Sequence, residues 1–253
     1  MNGAPHAGRR VRSYVLRQGR ITASQQRALD ELLPRYGLDP ERCLDPASIF
    51  GRDAPLFLEV GFGNGEALAH IAAERPDQDF IGVEVHPPGI GHLLLEIARR
   101  DLTNVRLYRA DAVQVLGTPI PDESLDGIRV FFPDPWPKKR HHKRRLINPE
   151  FVSLAAYKLK PGGTFHAATD WEDYAEQMLA ILESSRLLKN CSATGFSPRP
   201  DVRPLTKFER RGQRLGHAVR DLIFARITAE TDHPFVAAEP TADRPPPVDR
   251  GRQ

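Results

Sequence analysis

The sequence has 253 residues, of which 40% are hydrophobic and 27% charged, so it is long enough for one globular domain with flanking tails. Lys and Arg exceed Asp and Glu by 36 to 33, and a net charge of +3 by itself says little about partners. No run of about 18 apolar residues occurs, which argues against a membrane span. The first 20 residues lack the apolar core of a secretory signal, so we expect a cytoplasmic protein.

The two cysteines, Cys43 and Cys191, are far apart in the sequence and form no Cys-x-x-Cys pair. This pattern provides neither a disulfide framework nor a zinc site, so we expect no bound metal. The sequence does not determine the oligomeric state, and a monomer is the default expectation.

Both ends of the chain differ in composition from its middle. Residues 1–29 carry six arginines and no acidic residue, and we interpret residues 1–20 as a basic, flexible arm. Residues 229–253 are rich in proline and poor in apolar side chains, which predicts a disordered tail. A single domain is therefore expected over residues 21–228.

Within that domain, strand-like and helix-like segments alternate. Short apolar runs predict strands at 56–60, 80–85, 105–108, 125–132, 164–168 and 219–225. Helical spacing and capping residues predict helices at 22–36, 66–75, 91–100, 148–160 and 171–184. Thr22 or Ser24 can cap the first, which Pro34 should end early, and Asn148 caps the fourth. The alternation predicts an α/β fold, a parallel, doubly wound sheet with helices on both faces. Such sheets bind ligands at the carboxyl ends of their strands.

A glycine-rich turn, EVGFGNG at residues 59–65, follows the first predicted strand. Gly61, Gly63 and Gly65 permit a tight turn and a close approach of a ligand to backbone N–H groups. The spacing is GxGxG, and Glu66 stands where a dinucleotide-binding fingerprint would have its third glycine. By itself such a turn is equally typical of a ligand cradle and of a plain tight turn.

Three acidic residues border the ends of the first three strands. Glu84 ends the second strand, where a carboxylate can accept both hydroxyls of a ribose. Asp111 follows the third strand and could accept from an adenine amino group. Glu59 precedes the glycines and could hold the turn or the amino-acid end of a cofactor. Each acid alone could be a solvated loop residue, but the three together indicate a ligand that contains a nucleoside.

The fourth predicted strand leads into FFPDPWP at 131–137, and the next eight residues, 138–145, read KKRHHKRR. Prolines on both sides of Asp134 stiffen the backbone and exclude a helix there. A carboxylate is thereby held at the ligand-binding edge of the sheet. The basic run has no compensating acid; it is either a solvated face or, as we favour from its position, a contact for nucleic-acid phosphates.

The string FFPDPWPKKRHHKRR closely resembles the signature of the bacterial tRNA (guanine-N7-)-methyltransferase family. Further similar segments are RSYVLRQGR at 12–20, LEVGFGNGE at 58–66, FIGVEVH at 80–86, RADA at 109–112, KPGGTFHAATD at 160–170 and TKFERRG at 206–212. The chain has Val60 and Val83 where the family often has isoleucine. The C-terminal tail lies outside the resemblance.

The resemblance implies a class I methyltransferase fold and the cofactor S-adenosyl-L-methionine, whose cationic sulfonium suits an acidic rim. It implies transfer of the cofactor's methyl group to N7 of guanosine 46 in the variable loop of tRNA. Cofactor-binding positions are then Glu59, Gly61, Gly63, Gly65, Glu84, Asp111 and Asp134, and Asp134 is also the catalytic residue. Substrate-binding positions are Lys138, Asp170, Thr206, Lys207, Phe208 and Glu209. The RNA-contacting positions are Arg140, His141, His142, Lys143, Arg144 and Arg145.

Two other functions are compatible with parts of the sequence. An NAD-dependent oxidoreductase would share the fold class, but the glycine spacing and the basic run argue against it. A non-catalytic RNA-binding protein or tRNA chaperone would have the basic surface without needing an acidic rim. Transfer of a labelled methyl group distinguishes the enzyme from the binding protein.

Overall fold

The computed structural model of the protein describes residues 13–14, 19–201, 203–204, 209 and 218–228. The predicted tail, 229–253, lies outside these residues, and so does most of the predicted arm, 1–20. The limits of the arm and the tail therefore stay predictions.

Within the described residues, seven strands form one sheet. They are β1 (Leu56–Val60), β2 (Asp79–Glu84), β3 (Val105–Arg109), β4 (Leu125–Phe131), β5 (Leu159–Thr169), β6 (Leu188–Asn190) and β7 (Arg220–Arg226). Their order across the sheet is β3-β2-β1-β4-β5-β7-β6. Strands β1 to β5 are parallel as expected, whereas β7 runs antiparallel to both β5 and β6. The expectation of a wholly parallel sheet is wrong at this edge, because the chain enters between β5 and β6 from the opposite end of the sheet.

The helices are α1 (Ala23–Glu31), α2 (Leu33–Tyr36), α3 (Pro46–Phe50), α4 (Glu66–Glu74), α5 (Pro87–Arg100), α6 (Ala112–Gly117), α7 (Pro149–Lys158) and α8 (Glu172–Glu183). A 3-10 helix covers Lys139–Arg144. Thr22 caps α1 in a reciprocal capping box with Gln25, and Asn148 caps α7, as their sequences predict. Among the described helices, none is long and apolar enough to cross a bilayer.

Helices cover both faces of the sheet. On one face, alternate side chains of β1 such as Leu58 pack with residues of α6, α7 and α8 in one buried cluster. On the other face, α1, α4 and α5 bury a second cluster around Phe80 of β2. This two-sided burial confirms the doubly wound architecture.

The strand order reverses at β1. The chain proceeds from β1 to β2 and β3 on one side, and then returns to place β4 on the other side. The connections after β1 and β4 consequently diverge, leaving a crevice at the carboxyl ends of these two strands. The glycine-rich turn and the Asp134 turn meet there.

Candidate active site

A cavity of about 210 Å³ opens at the carboxyl edge of the sheet. Its walls come from the ends of β1, β2, β3 and β4, including Gly61, Glu84, Ala110, Phe132 and Asp134. The sequence separates these residues by up to 73 positions, and the fold brings them to one cavity. The cavity therefore lies at the edge of the sheet where the sequence predicts a ligand site.

The glycines of the turn have two different roles. Gly61, Gly63 and Gly65 all adopt positive φ, at 70°, 60° and 74°, which L side chains rarely do. A Cβ atom added at Gly61 or Gly63 would meet nothing within 4 Å, so this backbone is open to a ligand. A Cβ atom at Gly65 would lie 2.7 Å from Cβ of Leu93, so Gly65 allows α5 to pack closely.

Glu84 fastens the glycine-rich turn to the end of β2. Its carboxylate accepts hydrogen bonds from the backbone N–H groups of Gly63 (3.0 Å), Val85 (2.7 Å) and His86 (3.0 Å). The side chain also lines the cavity. A carboxylate has about four acceptor positions, so Glu84 can hold the turn and still accept from a ligand hydroxyl.

Asp111 and Glu59 do not line the cavity. Asp111 caps α6 by accepting from the Val113 N–H at 2.9 Å, and its neighbours Ala110 and Ala112 form the wall. Glu59 is 4% exposed and pairs in register with Arg129 of β4. Its Oε2 atom has no hydrogen-bond partner among the described residues. Burial raises the pKa of Glu59 to about 7. The nearby Arg129 guanidinium has the opposite effect on this pKa, but the effect of burial is larger.

The turn that carries Asp134 has a strained backbone at both ends. Phe132 and Trp136 adopt positive φ, at 52° and 46°, a conformation that costs a residue with a side chain about 1–3 kcal/mol. The Phe132 N–H donates to the Ala168 carbonyl (2.8 Å), and the Arg145 Nε donates to the Pro135 carbonyl (2.9 Å). Asp134 itself is exposed, with no hydrogen bond to another described residue. Its carboxylate therefore faces the cavity available for a ligand.

The basic run forms the 3-10 helix beside this turn. Lys138, Lys139, Arg140 and Lys143 are exposed, as a phosphate-binding surface requires. The Arg144 guanidinium instead lies 4.0 Å from the centre of the Trp136 ring and donates to the Tyr14 carbonyl (3.3 Å). Four exposed cations thus follow the Asp134 turn directly in the sequence.

Arg145 requires a correction. Its side chain is 1% exposed and donates to the Pro135 carbonyl, Gln177 and Asp173, while its guanidinium lies 4.7 Å from the ring centre of Tyr174. The prediction that Arg145 contacts RNA is wrong, because its side chain is buried and all three guanidinium nitrogens donate to groups inside the protein. His142 is also partly enclosed, with Nε2 buried and 3.9 Å from Asp173 Oδ2.

Comparisons with known proteins agree with a site for a nucleoside-containing ligand at this edge of the sheet. The model of a family described as "Putative methyltransferase" matches residues 53–222. A tRNA (guanine-N(7)-)-methyltransferase from Methylococcus capsulatus is 62% identical over 227 residues, covering 89% of this chain and 97% of the relative. One of the same name from Chromobacterium violaceum is 57% identical, covering 88% and 98%.

The chain belongs to the tRNA (guanine-N(7)-)-methyltransferase family. Among solved structures, a mutant 16S rRNA (adenine(1408)-N(1))-methyltransferase from Catenulisporales acidiphilia, solved with cosubstrate SAM, matches with a TM-score of 0.50 and 15% identity. That match covers 76% of this chain and 97% of the other. At this identity the likeness concerns the fold alone, and the fold is that of a class I methyltransferase.

The positions expected to bind substrate in this methyltransferase family are only partly described. Asp170 is half-buried directly after β5, and Lys138 precedes the 3-10 helix. Thr206, Lys207 and Phe208 lie outside the described residues. Glu209 is 1% exposed, and both of its carboxylate oxygens accept hydrogen bonds from Arg203.

Two features of this methyltransferase site were not predicted from sequence. Ser13 and Tyr14 line the cavity, and the Ser13 carbonyl accepts from the Trp136 Nε1 at 3.1 Å. Arg203 and its partners form a buried charged cluster near Phe132. The family-like segment at 12–20 was a signal for the first feature, whereas no local pattern indicated the second. Among the described residues, no group of three or more His, Cys, Asp or Glu side chains is arranged to hold a metal.

Proposed function

We propose that the protein methylates N7 of guanosine 46 in the variable loop of tRNA, using S-adenosyl-L-methionine as methyl donor. The observation that carries the proposal is the meeting of the open glycine turn, Glu84 and Asp134 around one cavity. Exposed cations follow Asp134 directly in the sequence. Relatives up to 62% identical are named tRNA (guanine-N(7)-)-methyltransferases, which supports the reaction and the substrate class. A tRNA-modifying role also supports a cytoplasmic location.

The residues of the cavity fit a cationic ligand that contains a nucleoside. The open backbone at Gly61 and Gly63 gives such a ligand room to approach, and Glu84 offers acceptor positions for ribose hydroxyls. Asp134 adds a negative charge to the wall of the same cavity. When bound, S-adenosyl-L-methionine supplies an electrophilic methyl group on a sulfonium.

The chain's contribution to the reaction is mainly positioning. Guanine N7 has a free lone pair and no proton to remove, so the protein needs no general base at this atom. The stiff Asp134 turn and the glycine turn both border the cavity, and holding the two reactants there in a fixed geometry favours in-line attack. Guanine gains positive charge as the methyl group is transferred. The Asp134 carboxylate attracts this charge, and the attraction is stronger in the transition state than in the ground state.

Recognition of guanine requires acceptors for its N1–H and 2-amino groups. Asp134 and Asp170 follow the adjacent strands β4 and β5, so both belong to the edge where the base would enter. An adenine would present a hydrogen-bond acceptor at N1 and would be rejected. The guanine has to leave its stack to reach this edge, unless the tRNA is opened locally.

The decisive experiment is incubation of the purified protein with bulk tRNA and methyl-labelled S-adenosyl-L-methionine, followed by nucleoside analysis. We expect the label in 7-methylguanosine, and sequencing at the modified base should locate it at position 46. Binding of tRNA without any methyl transfer would favour the RNA-binding alternative. Label at another nucleotide would contradict the assigned position.

Cofactor affinity should depend on Glu84. Glu84→Ala removes the acceptor of the Gly63 N–H and the proposed acceptor of the ribose hydroxyls. We expect binding of S-adenosyl-L-methionine to weaken by about 1.5–3 kcal/mol, roughly 10- to 150-fold in Kd, as for hydrogen bonds to a charged group. Calorimetry measures the change. Glu74→Ala, which removes an exposed carboxylate at the end of α4, is the matched control, and equal affinities of the two variants would refute the assignment.

The exposed cations of the basic run should give tRNA binding its salt dependence. Replacing Lys139, Arg140 and Lys143 together by Ala should make the slope of log affinity against log salt shallower by about 2–3, since each phosphate contact contributes roughly 0.7–0.9. Filter binding over a salt series gives this slope. A triple variant that lacks the exposed cations Arg42, Arg75 and Arg186 is matched in charge and should keep the wild-type slope. Identical slopes for the two triple variants would show that the run is only a solvated face.

A further inference from the structure

Arg145 follows the 3-10 helix directly, and its guanidinium joins two elements of the protein. The side chain is 1% exposed, although it belongs to the basic run. Its Nε atom donates to the Pro135 carbonyl at 2.9 Å. Its Nη1 and Nη2 atoms donate to Gln177 and Asp173, which are both residues of α8. One buried cation thus connects the Asp134 turn to α8.

The Asp134 turn depends on hydrogen bonds from outside itself. Its prolines, at positions 133, 135 and 137, have no N–H group to donate within the turn. Its backbone is strained at both ends, and strained conformations persist only where the surrounding structure holds them. The carbonyl that accepts from Arg145 belongs to the residue directly after Asp134. Arg145 therefore holds the backbone next to the carboxylate that the proposed reaction uses.

The other partners of Arg145 belong to the helix that follows Asp170. Helix α8 begins two residues after Asp170, and Asp173 is in its first turn. A second contact supports the same junction, because the Ile147 N–H donates to the hydroxyl of the buried Tyr174 at 3.0 Å. Arg145 consequently bridges the segments next to the two proposed acceptors of guanine.

Arg145 is paired in charge as well as in hydrogen bonding. Its hydrogen bond lowers the pKa of Asp173, so this carboxylate is ionised at neutral pH and forms an ion pair with the guanidinium. The centre of the Tyr174 ring lies 4.7 Å from the guanidinium carbon. Arginine suits this place because its planar group donates in three directions at once, whereas the ammonium of lysine is a single point of charge.

We propose that Arg145 is a positioning residue for methyl transfer, which fixes the Asp134 turn against α8 and so places the Asp134 carboxylate beside the reacting guanine. The proposal rests on the proposed function, because the position of Asp134 matters only if guanine is methylated in this cavity. It assigns Arg145 no contact with tRNA or cofactor. The expected signature is therefore slower methyl transfer with unchanged binding of both ligands.

The test uses two variants that break the bridge from opposite sides. Arg145→Lys retains the charge but cannot donate to all three partners. We expect its single-turnover rate at saturating tRNA and cofactor to fall roughly 10- to 100-fold, as for a small misplacement of a catalytic group. Asp173→Ala removes one of the three partners and should cause a smaller loss. Asp173 is 62% exposed, so Asp173→Ala tests the bridge even if Arg145→Lys fails to fold. Each rate is expressed per cofactor-binding molecule, counted by calorimetry.

Binding measurements separate positioning from direct contact with tRNA. Arg145→Gln removes the charge, and loss of a phosphate contact would make the slope of log affinity against log salt shallower by about 0.7–0.9. We expect the wild-type slope and the wild-type affinity for S-adenosyl-L-methionine. Asp173→Ala adds an independent criterion, because removal of an acid cannot delete a phosphate contact. Slower methyl transfer in this variant supports positioning.

Arg52→Lys is the matched control. The Arg52 guanidinium also donates from all three of its nitrogens, to the buried Asp79 and to the Pro76 and Gln78 carbonyls. Asp79 begins β2, so this site lies at the amino ends of the strands, whereas the cavity lies at their carboxyl ends. Arg52→Lys should lower the melting temperature without changing the single-turnover rate per cofactor-binding molecule.

Three results would overturn the proposal. A wild-type rate per cofactor-binding molecule in Arg145→Lys and Asp173→Ala would mean that the bridge only stabilises the fold. A shallower salt slope in Arg145→Gln would mean that Arg145 binds phosphate. A parallel loss of cofactor affinity would mean that the bridge supports the whole cavity. Absence of methyl transfer by the wild-type protein would instead refute the proposed function itself, and the wild-type reaction distinguishes that outcome from failure of the Arg145 proposal alone.

Discussion

Asp134→Asn should reduce single-turnover methylation of tRNA roughly 100- to 1000-fold, by analogy with removal of one electrostatic stabiliser of a transition state. The asparagine retains the shape of the side chain but lacks the negative charge that stabilises the cation forming on guanine. Since this interaction strengthens during methyl transfer, its loss should lower both kcat and kcat/KM. Rapid-quench measurement at saturating cofactor and tRNA gives the rate.

The same variant should fold normally. Asp134 is exposed and has no hydrogen bond to another described residue, so the melting temperature should change little. Asp53→Asn, at an exposed position before β1, is the control and should affect neither property. If Asp134→Asn unfolded earlier while its folded fraction retained normal turnover, Asp134 would be a residue of the turn and not of the reaction.

Glu59 should make the stability of the protein fall as the pH rises. Burial raises its pKa from 4.5 to about 7, so between these values the folded state retains a proton that the unfolded state has released. The protonated carboxyl group therefore stabilises the fold at low pH, and this contribution is lost as the pH rises towards 7. A raised pKa of this size corresponds to roughly 3 kcal/mol.

Glu59→Gln removes the titrating group but leaves a side chain of the same shape. Urea unfolding of both proteins at pH 5 and pH 8 isolates the effect, because other titrating groups are common to them. We expect the wild type to lose roughly 2–3 kcal/mol more than the variant between these pH values. Glu74→Gln, at an exposed position, should behave like the wild type. The same pH dependence in Glu59→Gln would show that Glu59 is already ionised at pH 5.

Most of the fold follows from local rules that the sequence displays. The capping residues Thr22 and Asn148 begin helices where predicted, and each apolar run from 56 to 131 forms a strand within a residue or two of its expected ends. The direction of β7 could not be predicted, since an alternation of apolar residues is the same in parallel and antiparallel strands. The short helices α3 and α6 were missed because five or six residues carry almost no periodic signal.

The candidate site was predicted in location but not in the orientation of every side chain. Glu84 and Asp134 line the cavity because each follows or ends a strand at its carboxyl edge. Glu59 does not, and strand alternation explains why: its neighbour Val60 faces the cavity, so Glu59 lies on the other face of β1. Arg145 was misassigned because a run of like charges does not reveal which member turns inward.

The partners of Arg203 were beyond any local pattern. Asp221 lies 18 residues away from Arg203, and His166 lies 37 residues away, so their proximity depends on the antiparallel insertion of β7. Only the three-dimensional fold brings these three side chains together.

The place of β7 in the sheet also has a consequence for biosynthesis. It is the last of the described strands to leave the ribosome, yet it occupies an interior position between β5 and β6. Until it arrives, the growing chain exposes the backbone edge of β5, and such edges promote association with other chains. Asp221 arrives with the same strand, so the Arg203 cluster cannot assemble before translation has passed it. The residues that line the cavity all precede β7 in the sequence, so completion of β7 adds no wall to the cavity, but it covers the edge of β5 and brings Asp221 to Arg203.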